Sequence, residues 1–205
     1  MSDKPEDQDG GVESRGRTDR PMRADAQRNT GALLEAAVAV FATSGVDAPV
    51  REIAAKAGVG VGTVYRHFPQ RADLVAAVFR REVDACADAA PVLAAAHAPG
   101  EALARWMQRY AAFIATKRGL ATALHSGDPT FDSLPAYFSG RLRPALRTLL
   151  DAAAASGEVR ADIEPDELLS AVASLCMQAP GEKPDHARRM VALLVDGLRY
   201  GAGQR

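Results

Sequence analysis

The stretch REIAAKAGVGVGTVYRHF, residues 51–68, decides the fold of this chain. Its pattern predicts two short helices, over residues 50–57 and 61–68, because apolar residues recur at helical spacing and Gly58 interrupts them. Small residues at Ala54 and Ala57 allow the two helices to pack closely. The expected apolar anchors are Ile53, Val59, Val64 and Phe68. Two short helices joined by a glycine turn form a helix-turn-helix candidate.

The other residues at the start and along the second helix are free to face a DNA major groove. They are Gly60, Val61, Gly62, Thr63, Arg66 and His67. Among them, only Arg66 has the forked donors that suit guanine. The glycines of residues 58–62 do not indicate a dinucleotide site, because no strand precedes them and Thr63 stands where a third glycine belongs.

Helical periodicity continues along the rest of the chain. One helix is predicted from about residue 25 to Gly45, and a long one from residue 70 to about residue 90, before Pro91. Glycines and prolines bound the remaining predicted helices, at 101–117, 119–125, 132–156, 164–178 and 185–200. No segment alternates with a period of two, so the sequence predicts an all-α protein.

Composition divides the 205 residues into three segments. Residues 1–22 hold almost nothing apolar and are expected to be a disordered tail. Residues 23–70 would form the helix-turn-helix domain, and residues 71–205 a second helical domain. Residues 15–71 carry nine basic and five acidic side chains, which is typical of a small DNA-binding unit. The arginines at positions 15, 17, 20 and 23 either solubilise the chain or reach DNA.

Several classes of protein find no support in the residues. Neither Cys86 and Cys176 nor the four histidines have metal-ligand spacing, so we expect no metal, no disulfide and no cofactor. No phosphate loop or nucleophile elbow occurs, so we assign no catalytic residue and expect no enzyme. No apolar run approaches the roughly 18 residues of a membrane span. With no signal-peptide core at the N-terminus, these features favour a cytoplasmic protein without membrane contact.

Residues 51–59 and 62–68 resemble the signature of the TetR family of bacterial transcription regulators. The preceding helix, with Ala37, Phe41 and Gly45, and the following Leu74 resemble it too, so the similarity covers roughly residues 28–78. The resemblance implies a homodimer that binds double-stranded DNA at a palindromic operator. It also implies that DNA is contacted by Arg51, Val61, Gly62, Thr63, Tyr65, Arg66, His67 and Arg71.

The resemblance gives these residues different roles. Thr63 and Tyr65 would contact phosphates or base edges, and His67 and Arg71 would contact phosphates. Two alternatives stay open: Tyr65 packs in the core, or His67 is a surface residue favoured by the helix dipole. The chain also departs from the family pattern. It has Pro49 where the family often has Thr or Ser, and Gly60-Val61 where the family often has Ser and a polar residue.

The last two predicted helices are apolar on more than one face, which indicates cover on two sides. The resemblance implies that these helices form a four-helix bundle with a second copy. The expected interface residues are Leu168, Val172, Leu175, Met190, Leu194 and Leu198. Alternatively, all of these faces belong to the chain's own core.

A pocket for a small molecule is expected between residues 100 and 180, chiefly from the resemblance. Its candidate lining residues are Trp106, Arg109, Tyr110, Phe113, His125, Phe131, Phe138 and Gln178. Each aromatic residue could instead be ordinary core. Three functions therefore remain: a ligand-responsive repressor, a DNA-binding regulator without a small-molecule input, and a small-molecule binding protein with a vestigial helix-turn-helix.

Overall fold

The computed structural model describes residues 19–176 and 184–200, and the side chains of 29–115, 120, 123–176 and 185–200. Regular structure within these residues is helical, which confirms the all-α prediction. The helices are α1 (Asp19–Ser44), α2 (Val50–Ala57), α3 (Val61–His67), α4 (Arg71–Ala96), α5 (Pro99–Leu124), α6 (Leu134–Ala155), α7 (Pro165–Cys176) and α8 (Pro184–Tyr200). A short 3-10 helix, Pro129–Phe131, precedes α6.

The N-terminal unit consists of α1, α2 and α3. Helix α2 packs against both α1 and α3, and α1 packs against α4 and α5. The turn between α2 and α3 depends on Gly58, which has the left-handed values φ 69° and ψ 28°. Its N–H donates to the carbonyl of Ala55, and the Val59 N–H donates to Ala54. These bonds end α2 and direct the chain into α3.

The C-terminal helices pack around α4. Helices α5 and α6 pack against α4 and against each other, while α7 and α8 cover α5. One continuous hydrophobic core extends from Leu33 in α1 to Leu198 in α8. Among residues 19–176 and 184–200, none of the helices combines the length and the apolar character that a membrane span requires.

Two predicted helix ends are wrong, because packing outweighs a local helix-breaking residue. Helix α4 continues through Pro91, although a proline inside a helix removes one backbone hydrogen bond. Buried Ala90 and half-buried Leu93 keep this end of α4 against the core. Helix α5 likewise continues through Gly119, and Leu120 beyond it is 2% exposed.

The N-terminal boundary also differs from the prediction. Helix α1 begins at Asp19, so residues 19–22, predicted to belong to a disordered tail, are helical. Helix α1 therefore begins before the apolar stripe that marked the helix in the sequence. Residues 1–18 of the predicted tail lie outside the described residues.

We predict that Gly58→Ala destabilises the protein by about 1 to 2 kcal/mol, because a residue with a Cβ disfavours the left-handed conformation. The space around a Cβ at this position is open, so the cost is conformational and not steric. Gly60→Ala is the matched control, since Gly60 has φ −71° and equally open surroundings. Urea denaturation measures both variants. Equal loss of stability in the two would contradict the role of Gly58.

Candidate functional site

The inner faces of α2 and α3 hold the helix-turn-helix together. Ile53 and Val64 are 0% and 1% exposed, and half-buried Val59 and Phe68 pack against the same core. The prediction of these four residues as apolar anchors is therefore confirmed. Because the anchors occupy one side of α3, the opposite side of this helix faces solvent.

Most of the predicted DNA contacts lie on the solvent side. The exposed ones are Arg51, Val61, Gly62, Tyr65, Arg66 and His67, and Thr63 is half-buried. Around a Cβ at Gly62 the chain itself leaves open space, so nothing within the protein requires glycine there. A close approach of this backbone to DNA would require it. Contact of these residues with DNA stays a prediction.

The two alternatives left open for Tyr65 and His67 have different outcomes. Tyr65 is 52% exposed, so the alternative that it packs in the core is wrong. His67 is exposed at the last residue of α3, and its Nδ1 lies 3.5 Å from the hydroxyl of Thr30. His67 therefore lies beside α1 while remaining accessible from outside.

Arg71 is half-buried and its guanidinium forms hydrogen bonds within the chain, and the phosphate contact that the resemblance implies for it stays a prediction. Its Nε donates to the carbonyl of Val46 at 2.7 Å and its Nη2 to the carbonyl of Ala48 at 2.6 Å. The guanidinium carbon lies 5.8 Å from the centre of the Phe41 ring. Intramolecular acceptors thus bind the Nε and Nη2 atoms of the group that was expected to reach DNA.

Two residues predicted to line a pocket are core residues instead. Trp106 and Tyr110 are 0% and 1% exposed, and their rings stack at 5.6 Å. The Trp106 indole N–H donates to the carbonyl of Cys86 at 2.9 Å, and the Tyr110 hydroxyl donates to the carbonyl of Leu169 at 3.3 Å. Their polar groups are therefore satisfied inside the protein. Burial raises the pKa of the Tyr110 hydroxyl, so this group stays protonated.

A cavity of about 290 Å³ lies between α4, the end of α5 and the start of α6. It contains three of the predicted pocket residues, His125, Phe131 and Phe138. The sequence reasoning missed its other lining residues, which are Phe79, Leu124, Leu134, Pro135 and Ser139. Phe79 was the hardest of these residues to predict, because it lies on α4, far from the other aromatic residues in the sequence. The cavity wall is mostly apolar, as in small-molecule sites.

The other three predicted pocket residues lie elsewhere. Phe113 is 5% exposed, behind the cavity wall, with its ring centre 6.0 Å from those of Phe79 and Phe138. Arg109 is exposed and its Nε donates to the carbonyl of Ala85, outside this cavity. Gln178 lies outside the described residues.

A cluster of polar side chains joins α4 to α6 beside the cavity. We call it the α4–α6 polar cluster; its members are Arg80, Asp84 and Asp88 on α4 with Ser133, Tyr137 and Arg141 at the start of α6. The Tyr137 hydroxyl and the Arg141 Nε each lie 2.7 Å from the Asp84 carboxylate. Arg141 also pairs with Asp88 at 2.7 Å. Burial and the hydrogen bond to Asp84 raise the pKa of Tyr137.

The predicted dimer-interface residues separate into two groups. Leu168, Val172 and Leu198 are buried in the chain's own core at 2%, 0% and 5% exposure, so their assignment to an interface is wrong. Leu175, Met190 and Leu194 are half-buried. The most exposed apolar residues of α8 are Leu193 and Tyr200, at 65% and 84%. The outward face of α8 therefore runs through Met190, Leu193 and Tyr200.

Comparisons with known proteins agree with this geometry. A family model described as "Bacterial regulatory proteins, tetR family" matches residues 33–78. A second, described as "Transcriptional regulator SbtR-like, C-terminal domain", matches residues 98–200. An HTH-type transcriptional regulator of Staphylococcus aureus is 39% identical over 64 residues, which are 31% of this chain and 35% of that protein. The chain thus matches about a third of the length of this curated relative.

Two solved structures are similar over most of their length. The TetR transcriptional regulator SCO0520 from Streptomyces coelicolor is 39% identical, with a TM-score of 0.71 over 82% of this chain and 97% of that chain. The TetR transcription regulatory protein from Mycobacterium vanbaalenii is 38% identical, with a TM-score of 0.67 over 87% of this chain and 99% of that chain.

The fold, the exposed side of α3 and these matches define a helix-turn-helix transcriptional regulator. More narrowly, the chain belongs to the TetR family. This membership confirms the resemblance found in residues 51–68.

Proposed function

We propose that the chain is a ligand-responsive repressor that binds a palindromic operator as a homodimer and dissociates when a small molecule binds. The observation that carries the proposal is the course of α4. This helix begins beside the helix-turn-helix at Arg71 and contributes Phe79 to the wall of the cavity. A ligand that prefers a wider cavity would displace α4 and with it α1. A cytoplasmic location belongs to the same proposal.

The energy required of such a ligand is small. A tenfold loss of operator affinity needs about 1.4 kcal/mol of coupling between the cavity and the DNA-binding unit. A compact apolar or aromatic molecule fits the cavity, because phenylalanine, leucine and proline side chains form most of its wall. His125 and Ser139 are the side chains that can hydrogen-bond a polar group of this ligand.

DNA recognition in this proposal depends on the exposed side of α3. Arg66 would read a guanine edge, and Gly62 would allow the backbone to approach the DNA. Val61 is 40% exposed and offers its methyl groups to thymine. The polar side chains that the family often has at positions 49, 60 and 61 are absent, so fewer hydrogen bonds are available for phosphates.

We predict that Arg66→Ala weakens binding to the cognate operator by about 1 to 3 kcal/mol. Gly62→Ala should leave the fold intact, because the added methyl meets only solvent in the free protein. It should still weaken binding, because the methyl would keep the backbone from approaching the DNA. Arg105→Ala is the control, since Arg105 is paired with Glu101 on α5. Fluorescence anisotropy with a labelled operator duplex measures all three. Unchanged affinity of Arg66→Ala would remove its role in base readout.

Dimerisation in this proposal uses the outward face of α8. Leu193 is a large apolar side chain that is 65% exposed, with half-buried Met190 and Leu194 beside it. A second copy of the same face would remove these side chains from water, since a two-fold interface is self-complementary. Such a dimer would hold two recognition helices about 34–36 Å apart, one turn of DNA.

We predict that Leu193→Glu converts the dimer to a monomer, because burial of a carboxylate in an apolar interface is unfavourable. Val92→Glu is the matched control, since Val92 is 67% exposed on α4 and should leave the dimer intact. Size-exclusion chromatography with light scattering gives the mass of each variant. If Leu193→Glu has the same dimer mass as Val92→Glu, the interface lies elsewhere.

We predict that Ser139→Trp lowers affinity for the apolar dye N-phenyl-1-naphthylamine by at least about tenfold, or about 1.4 kcal/mol. Ser139 is exposed at the cavity wall, so the indole can fill the cavity without displacing core residues. Ala136→Trp, on an exposed position of the same helix that does not line the cavity, is the control. Equal dye binding by the two variants would place the dye at another site.

Two other functions make different predictions. A regulator without a small-molecule input would bind its operator but would not respond to any cavity ligand. A binding protein with a vestigial helix-turn-helix would take up the dye but protect no DNA. Footprinting on the DNA upstream of its own gene, with a salt titration, tests the proposal directly. Protection of a palindrome supports a dimeric regulator, and failure to select any sequence from random DNA contradicts it.

A further inference from the structure

Arg71 connects the two ends of the helix-turn-helix segment. It is the first residue of α4, and α3 ends at His67, four residues before it. Its guanidinium donates to the carbonyls of Val46 and Ala48, in the loop that leads from α1 into α2. Since α2 begins at Val50, one side chain bridges the chain just before α2 and just after α3.

The packing around Arg71 indicates why this bridge matters. Helix α2 packs against α1 and α3, and within the described residues neither α2 nor α3 has more than slight packing against α4. The unit is therefore attached to α4 mainly through α1, the connecting residues and Arg71. The start of α4 is itself fixed, because the Gln70 N–H donates to the Asp73 carboxylate at 3.0 Å.

We propose that Arg71 is a positioning residue that fixes the orientation of the helix-turn-helix on α4, and is not a phosphate ligand. The inference rests on the proposed function, since its consequence is measured on DNA. Arginine suits this task because its planar fork donates to two carbonyls at once, while its flat face covers Phe41. Lysine has three donors on one flexible nitrogen but no planar fork, so it holds the two carbonyls less firmly and has no flat face to cover Phe41.

Two variants distinguish positioning from phosphate binding: Arg71→Lys keeps the positive charge, and Arg71→Gln removes it. If Arg71 positions the unit, both variants weaken binding to a labelled duplex about tenfold, with the salt dependence of the wild type. If Arg71 binds phosphate, Arg71→Lys binds the duplex with the affinity of the wild type. In that case Arg71→Gln also lowers the slope of log K against log salt by about 0.9 for each phosphate lost. Either of these two results would overturn the proposal.

Controls separate this effect from unfolding and from failure of DNA binding. Circular dichroism sets a temperature at which all variants are folded, so that affinity reports orientation and not stability. Arg51→Gln, an exposed arginine on α2, serves as the reference for a lost phosphate contact. It is expected to reduce the salt slope.

A DNA-independent measurement keeps the inference testable if the proposed function fails. Hydrogen exchange of the loop between α1 and α2 should accelerate in Arg71→Gln, including at the Ala48 N–H that donates to Gly45. Unchanged exchange would show that Arg71 does not hold the loop, whatever the DNA result. If the wild type binds no duplex but exchange accelerates as expected, the proposed function fails and the attachment by Arg71 stands.

Discussion

The continuous packing of α4 against both halves of the chain is the constraint on which the rest of the structure depends. Helix α4 extends from Arg71 to Ala96, and it packs against α1, α5 and α6. Its buried residues include Leu74 close to the DNA-binding unit and Ala90 far from it. Because interiors are close-packed, a displacement at one end of such a helix cannot be absorbed locally.

Polar contacts attach α4 to neighbouring segments at two places. At its first residue, Arg71 attaches it to the loop before α2. Further along, the α4–α6 polar cluster attaches it to α6, whose first turns form part of the cavity wall. Phe79 lies between these two attachments. A ligand beside Phe79 would therefore act on a helix that is held on both sides of the point of contact.

The individual charged pairs of the cluster are partly exposed and would each contribute little to stability. What these pairs contribute is the relative position of α4 and α6. Asp84 accepts from both Tyr137 and Arg141, residues four apart on α6, so one carboxylate fixes the register of the two helices. With this register, Phe79 of α4 and Phe138 of α6 line the same cavity.

Local patterns in the sequence were sufficient for α2 and α3 but not for the start of α1 or for the C-terminal half. Residues 51–68 gave both short helices and their anchors, since Gly58 and the apolar spacing are local signals. The sequence could not reveal that α4 continues through Pro91, because distant packing stabilises that turn.

The direction in which each side chain points was the second feature that the sequence could not predict. The apolar faces of α7 and α8 were visible in the sequence, but periodicity does not say which face covers the chain's own core. Leu198 therefore appeared to be an interface residue although it is buried, and the periodicity did not reveal that Leu193 is exposed. The intramolecular acceptors of Arg71 could not be predicted for a similar reason, because they lie in a loop 23 and 25 residues earlier.

The most direct test of the account is the distance between the two helix-turn-helix units of a dimer. A spin label on Ala55→Cys, an exposed position of α2, can be attached selectively. Native Cys86 and Cys176 are buried, and burial raises the pKa of Cys86 to about 12. Pulsed dipolar spectroscopy on operator DNA should give one narrow distance, compatible with recognition helices about 34–36 Å apart. Absence of a dipolar signal, or a broad distribution that operator DNA does not narrow, would contradict the account.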